Sequence, residues 1–279
     1  MKELNKFIYI FEGLDIAHGI TKKSSEVNEK GKNETRSFTI HKPPIEKLWL
    51  DHLEGKDPGL GIIPINRDNK LKWGCIDVDI YPVDHQGFVK KLQEKNIKAI
   101  VFRSKSGGAH IFVFTKTFVP AIVMRAKLKI IASEIGYARA EIYPKQDTIN
   151  VARGDTGSFL NLPYHNCKDS VRYAFNSKGI KMSLEEFFEY HNEMAMTEEE
   201  LTNFAIVNEK ENLDYFKGMP PCLVTLLSDG VPNGQRNNCM YNVGVYLKKR
   251  YPENNEWKGR MHIYDEKFMK PPLGSNEVD

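Results

Sequence analysis

The chain has 279 residues, enough for one large domain or for a medium domain with an appendage. A hydrophobic share of 41% with 28% charged residues is ordinary for a protein folded in water. No stretch approaches the roughly 20 apolar residues that span a bilayer, so no membrane partner is expected. Forty basic and 37 acidic residues leave a net charge of +3, too weak to argue for or against a nucleic-acid partner.

Met1 to Phe11 alternates apolar and charged residues with no small-residue cleavage site after it, which argues against a signal peptide and for a cytoplasmic protein. Within it, Phe7–Phe11 reads as a short strand. Asp15–Thr35 is polar and reads as a mobile loop. Ile45–Leu53 has helical apolar spacing, and Gly55–Gly61 turns the chain into the run Ile62-Ile63-Pro64-Ile65. Gly74–Ile80 alternates strictly, placing Ile76, Val78 and Ile80 on one face and Cys75, Asp77 and Asp79 on the other. Asp84–Asn96 is helical, with Phe88, Val89 and Leu92 on one side. Lys98–Arg103 is a second strand, Ser104–Gly108 a tight turn, and His110–Phe114 a third strand. Val119–Ile135 is an amphipathic helix and Arg139–Tyr143 a fourth strand. Two short helices follow, Ser183–Met194 and one from Thr197 whose capping box is completed by Glu200. Pro220–Tyr251 is helical in parts, with breaks at Gly230, Pro232 and Gly234. Lys270–Asp279 reads as neither helix nor strand but as a linker cut open, implying a longer parent. The four cysteines, Cys75, Cys167, Cys222 and Cys239, show no metal or disulfide spacing and read as free thiols.

The order β-α-β-β-α-β is the split βαβ arrangement. The expected fold is α+β: a ferredoxin-like, RRM-like βαββαβ core at about 74–145, N-terminal α/β additions completing a domain over 1–215, and a small helical C-terminal domain over 216–279. A strand order of 4-1-3-2 places the first strand between the third and fourth, with both helices on one face and the other face open.

On that open face Asp77 and Asp79 stand on the first strand, flanked by His110 and by Glu141, because strands lie about 4.8 Å apart. Three carboxylates beside a histidine repel one another unless a cation sits among them, and their oxygens suit Mg²⁺ or Mn²⁺. Two such ions about 4 Å apart activate a 3′-hydroxyl and neutralise a triphosphate during in-line displacement. In the turn, Gly107 and Gly108 let backbone N–H groups approach phosphate oxygens, while Ser104, Ser106 and His110 supply further donors. Lys145 is a candidate for the triphosphate, and Asn161 for sugar or base or for a turn. Arg103 suits a carboxylate or a phosphate. His85, His165 and His191 read as ordinary surface or core residues. Phe112 and Phe114 share the face of His110 and either support a base or pack beneath the N-terminal segment. In the C-terminal part, Arg236, Lys248, Lys249 and Arg250 are candidates for template phosphates, against the reading of a solvated helix face.

Ile76-Asp-Val-Asp79, Ser106-Gly-Gly-Ala-His110 and Ala140-Glu-Ile142 resemble the three motifs of the archaeo-eukaryotic primase superfamily, and Glu141-Ile-Tyr-Pro-Lys-Gln146 with Gly157–Pro163 resembles the phage and plasmid primase-polymerases. The resemblance covers Trp49–Tyr164 and, more loosely, Pro220–Pro272. It implies that Asp77, Asp79 and Glu141 hold two metal ions while the serines and His110 hold the incoming nucleotide. It also implies a single-stranded DNA template, a primer strand, dNTP or NTP substrates and a helicase farther along the chain. Glu141 departs from the pattern, since many relatives carry Asp there. No P-loop is present. The rival readings are a metal-dependent nuclease and a non-catalytic ferredoxin-like nucleic-acid-binding module, which would read bases through aromatics rather than present Asp77 and Asp79.

Overall fold

The computed structural model describes residues 2–27, 33–203, 215–228, 230–252 and 256–278. It is an α+β protein, as its sequence pattern indicates. The chain opens with α1 (Lys2–Phe11), β1 (His18–Val27), β2 (Asn33–Ile40), α2 (Glu46–Leu53) and β3 (Leu60–Ile62). It continues through β4 (Lys70–Val78), α3 (His85–Glu94), β5 (Ile100–Arg103), β6 (Ala109–Pro120), α4 (Ala121–Glu134), β7 (Glu141–Tyr143) and β8 (Leu160–Asn161). Then come α5 (Leu184–Met194), α6 (Glu198–Thr202), α7 (Pro221–Ser228), β9 (Val231–Pro232), α8 (Arg236–Arg250), α9 (Glu256–Phe268), β10 (Met269–Lys270) and α10 (Ser275–Val278).

The segment Phe7–Phe11 is therefore helix, not strand. Leu4, Phe7, Ile10 and Phe11 are its buried residues, and their spacing of three and four is the signature of one helical face. Much of the stretch expected as a loop at 15–35 is strand. Its residues His18 to Lys23 pair antiparallel with Thr35 to Ile40, and residues 28–32 lie outside the described ones.

The central sheet runs β5-β6-β4-β7, with each neighbouring pair antiparallel. This is the 4-1-3-2 order expected of the β-α-β-β-α-β segment. A second sheet, β2-β1-β3-β8, is built from the N-terminal additions and the strand after the core. One face of the central sheet presents Ile76, Val78, Val101, Ile111 and Val113 to a core that includes Phe88, Val89 and Leu92 of α3 and Met124, Leu128 and Ile131 of α4. Asp84 caps α3 by accepting from Gly87 N–H at 2.8 Å. The predicted alternation of Gly74–Ile80 holds to Val78 and then stops, because Ile80 is exposed.

The other face is not open, contrary to the expectation. Trp73, Cys75, Phe102, Phe112 and Phe114 are buried there against Phe7 and Phe11 of α1 and Phe187 of α5. Phe11 lies edge-on to Phe112 at 5.8 Å and to Phe114 at 5.7 Å, so the two strand phenylalanines serve packing. The physical reason is composition: a face of four aromatic side chains loses roughly 1.5–3 kcal/mol per side chain if left in water, and the amphipathic α1 covers it. Among the described residues, the end of the sheet carrying Asp77 lies at the edge of this cover.

α5 and α6 both begin with capping boxes, Ser183 with Glu186 and Thr197 with Glu200. The C-terminal helices gather their own apolar cluster, including Leu223, Leu227, Met240, Val243, Leu247 and Phe268. The final segment, expected from sequence as a linker with neither helix nor strand, carries both. Met269–Lys270 pairs in parallel with Val231–Pro232, and α10 buries Val278. α9 docks on α4, where Ser133 Oγ donates to the carbonyl of Glu256 at 3.0 Å and Lys127 pairs with Glu266 at 3.0 Å. Among the described residues no helix is long and apolar enough to cross a membrane, and all four cysteines are free thiols.

Candidate active site

Strand register assembles the site. Asp77 faces His110 across β4–β6 and Glu141 across β4–β7, and His110 in turn faces Phe102. Directly opposed residues of an antiparallel pair hold their Cβ atoms about 4.5–5.5 Å apart. The four side chains therefore form one row across the sheet. One row inward along β4, Cys75 sits between Phe112 and Tyr143, so the face changes from apolar to ionisable in a single step toward the strand ends. His110 Nε2 stands 3.3 Å from Asp77 Oδ1, both groups largely shielded.

Asp79 lies just beyond β4 and is exposed. Its Oδ1 is bonded by the Tyr81 hydroxyl, which also lies 2.6 Å from Ser106 Oγ. Ser106 Oγ is 3.2 Å from Ser104 Oγ. Tyr81 thus ties the loop after β4 to the turn between β5 and β6. Burial, then the Asp79 carboxylate, pushes the Tyr81 hydroxyl pKa up, so it stays a neutral donor. Tyr81 is not among the residues the sequence marks out, although its place two residues after Asp79 repeats the spacing of the aspartates.

The Ser104–Gly108 turn is closed by Ser104 N–H donating to Gly108 carbonyl at 2.8 Å and by Gly107 N–H donating to Ser104 carbonyl at 3.1 Å. Gly107 has φ +93°, a region that strains L side chains. At Gly108 a Cβ would fall 2.7 Å from the Val78 carbonyl and 3.4 Å from Asp79 Oδ1, so only glycine lets the turn lie against the end of β4. His85 Nε2 stands 3.0 Å from the Gly108 carbonyl, and its ring stacks on Phe175 at 5.0 Å, which makes this histidine a support of the turn.

The other candidates divide. Lys145 pairs with Glu141 at 2.8 Å, and the Tyr143 hydroxyl donates to Glu141 Oε2 at 3.2 Å. Burial and then the Glu141 charge push the Tyr143 hydroxyl pKa well up. Arg103 donates to the backbone carbonyls of Val171 (3.0 Å) and Ser104 (3.4 Å), holding the turn from behind instead of meeting a carboxylate. Asn161 is on β8 in the second sheet and accepts from Thr21 Oγ1 at 3.2 Å. Arg236 donates to Pro271 and Pro272 carbonyls and to Asn233, and Arg250 to the Lys217 carbonyl at 2.5 Å, so both brace the helical module. Lys248 lies over the Trp257 ring at 5.7 Å, and Lys249 lines an apolar cavity with Leu223 and Tyr246. His191 is buried against Phe114, as a core residue should be.

Among the described residues no three His, Cys, Asp or Glu side chains lie close enough to cage a metal ion as they stand. Asp79 is turned to Tyr81 and Glu141 to Lys145. What suits a divalent cation is the donor chemistry: carboxylates on adjoining strands, all hard oxygen, beside a cavity of about 530 Å³ lined by Asp77, Asp79 and Glu141.

A family model described as the archaeo-eukaryotic primase domain of TOTE conflict systems matches residues 17–201, well over half of the chain. Among solved structures, the crystal structure of primase RepB′ is 13% identical over 99% of this chain and 95% of that chain, with a TM-score of 0.33. The catalytic domain of primase RepB′ in complex with initiator DNA is 12% identical over 69% of this chain and 94% of that one, with a TM-score of 0.31. No curated protein matches the chain. The match spans the second sheet, the central sheet and the whole Asp77 cluster, and the chain belongs to the archaeo-eukaryotic primase domain family of TOTE conflict systems.

Proposed function

We propose that the protein is a template-directed nucleotidyltransferase that synthesises or extends primers on single-stranded DNA. The observation that carries this reading is the single row His110–Asp77–Glu141, with the Ser104–Gly108 turn against its end. Asp77, Asp79 and Glu141 would hold Mg²⁺ or Mn²⁺, two ions at full occupancy, and the bound metal supplies charge neutralisation and an acidified 3′-hydroxyl. His110, the turn N–H groups not used to close it and the hydroxyls of Ser104 and Ser106 orient the triphosphate of a dNTP or NTP. Lys145, paired with Glu141 here, would be able to reach that triphosphate if Glu141 held metal. A nuclease needs the acids but has no use for a serine and glycine turn laid against them.

The test is incorporation of labelled nucleotide on single-stranded DNA with Mg²⁺ or Mn²⁺, with and without a primer, beside Asp77→Ala. Incorporation abolished by the substitution supports the reading, and product made without primer assigns de novo synthesis. Incorporation that survives in Asp77→Ala, or its absence under every condition, overturns it.

A further inference from the structure

Two cavities meet at Ala138–Glu141. One holds the aspartates; the other, about 610 Å³, lies between β7, α4 and α9 and is lined by Arg125, Lys129, Arg139 and Lys145 of the core and by Lys258 and His262 of the helical module. Among the described residues Glu141 is the one acid in its lining. Arg125 is already paired with Asp147, and Lys145 with Glu141. Arg139 and Lys258 are exposed, and neither has a carboxylate partner among the described residues. Arg139 and Lys258, one from each module, thus face one pocket with no described carboxylate paired to either.

The pocket is built by a close contact. Gly259 lies on Ser133, and a Cβ there would fall 2.0 Å from the Ser133 Cβ. That approach, with the Ser133–Glu256 bond and the Lys127–Glu266 pair, fixes α9 along α4. Lys258 and His262, four residues apart and so on one helix face, are thereby held over the edge of β7.

We infer that this cavity binds phosphate groups that continue out of the Asp77 cluster, so that the helical module supplies part of the substrate grip. The inference rests on the nucleotidyl-transfer reading above. Its volume is that of an ordinary ligand site. The ligand's phosphates belong either to a nucleic-acid strand passing the catalytic row or to a nucleoside triphosphate.

Binding by the full chain is measured in EDTA, where nothing turns over, with a labelled single-stranded oligonucleotide and with inorganic tripolyphosphate as probes. In the double variant Arg139→Glu with Lys258→Glu, affinity for at least one probe falls about tenfold or more, and the salt slope for the oligonucleotide shrinks by about 1.4. Loss for the oligonucleotide alone assigns the cavity to strand phosphates; loss for tripolyphosphate alone assigns it to the nucleotide. Unchanged affinity for both probes overturns the inference. If the double variant melts below the parent, Arg139→Gln with Lys258→Gln is judged by the same two outcomes. Incorporation by Asp77→Ala is read separately, so failure of the catalytic reading is not confused with failure of this one.

Discussion

His110 Nε2 stands 3.3 Å from Asp77 Oδ1, across the strand pair that supplies both residues. The contact joins the candidate metal ligand to the candidate phosphate donor. Asp77→Asn keeps the size and removes the charge, and incorporation should fall by about 100-fold or more under single-turnover conditions. His110→Ala should raise KM for the nucleoside triphosphate more than it lowers kcat, since a donor to the bound ground state acts mainly on binding. A purely kcat effect would place His110 in the chemical step instead.

The Tyr81 hydroxyl donates to Asp79 Oδ1, the same oxygen a cation would use, so the two compete for it. In Tyr81→Phe that competitor is gone. Titration with Mn²⁺ should show tighter binding, by about fivefold, the size of one charged hydrogen bond discounted for a half-exposed ring. Equal affinity in both proteins would show that Tyr81 does not compete with metal.

The α4–α9 contact depends on the absence of a side chain at Gly259. Gly259→Leu should lower stability by about 1–3 kcal/mol, the usual cost of overpacking, and weaken the grip of the helical module on the core. Ser133→Ala removes only the bond to the Glu256 carbonyl and should cost about 1 kcal/mol. Urea unfolding curves measure both, and similar midpoints for Gly259→Leu and the parent would contradict the contact.

Burial lowers the pKa of two core histidines, His52 to about 3 and His191 to about 4 from an ordinary 6.5. His52 is held neutral between Leu60 N–H, which donates to its Nδ1, and the Pro163 carbonyl at its Nε2. A depressed folded pKa means the unfolded chain binds more protons below about 6.5, so the stability present at neutral pH is lost on acidification. The loss begins near 6.5, with a slope approaching about 1.4 kcal/mol per pH unit for each histidine, and levels off near 4 for His191 and near 3 for His52. Urea midpoints at pH 7.5, 6 and 5 measure it, and His191→Leu should flatten the profile.

Much of the site was legible because its parts are local. The alternation of Gly74–Val78, the Ser104–Gly108 turn and the helical spacing of Phe88, Val89 and Leu92 each lie within a few residues, and the order of elements then places Asp77 between His110 and Glu141. The superfamily was readable from the same residues, whereas the motifs resembled the phage and plasmid branch and the match is to the TOTE family. Phe7–Phe11 looks like strand in isolation because a window of five residues holds barely one helical turn. The polar strand β1 resembles a loop in sequence because its stability comes from pairing with β2 and β3, not from its own apolar pattern.

By itself the sequence determined the strands and helices of the core, the carboxylates they carry and the glycines of the turn, since period and turn chemistry act over a few bonds. The tertiary structure alone decided what covers each surface. It laid α1 and α5 over Phe112 and Phe114, turned Tyr81 onto Asp79, withdrew Arg236 and Arg250 into the bracing of the helical module, and set Lys258 over β7. Those outcomes depend on contacts between segments far apart in the chain, and one residue without a side chain, Gly259, brings α9 close enough to make the last of them.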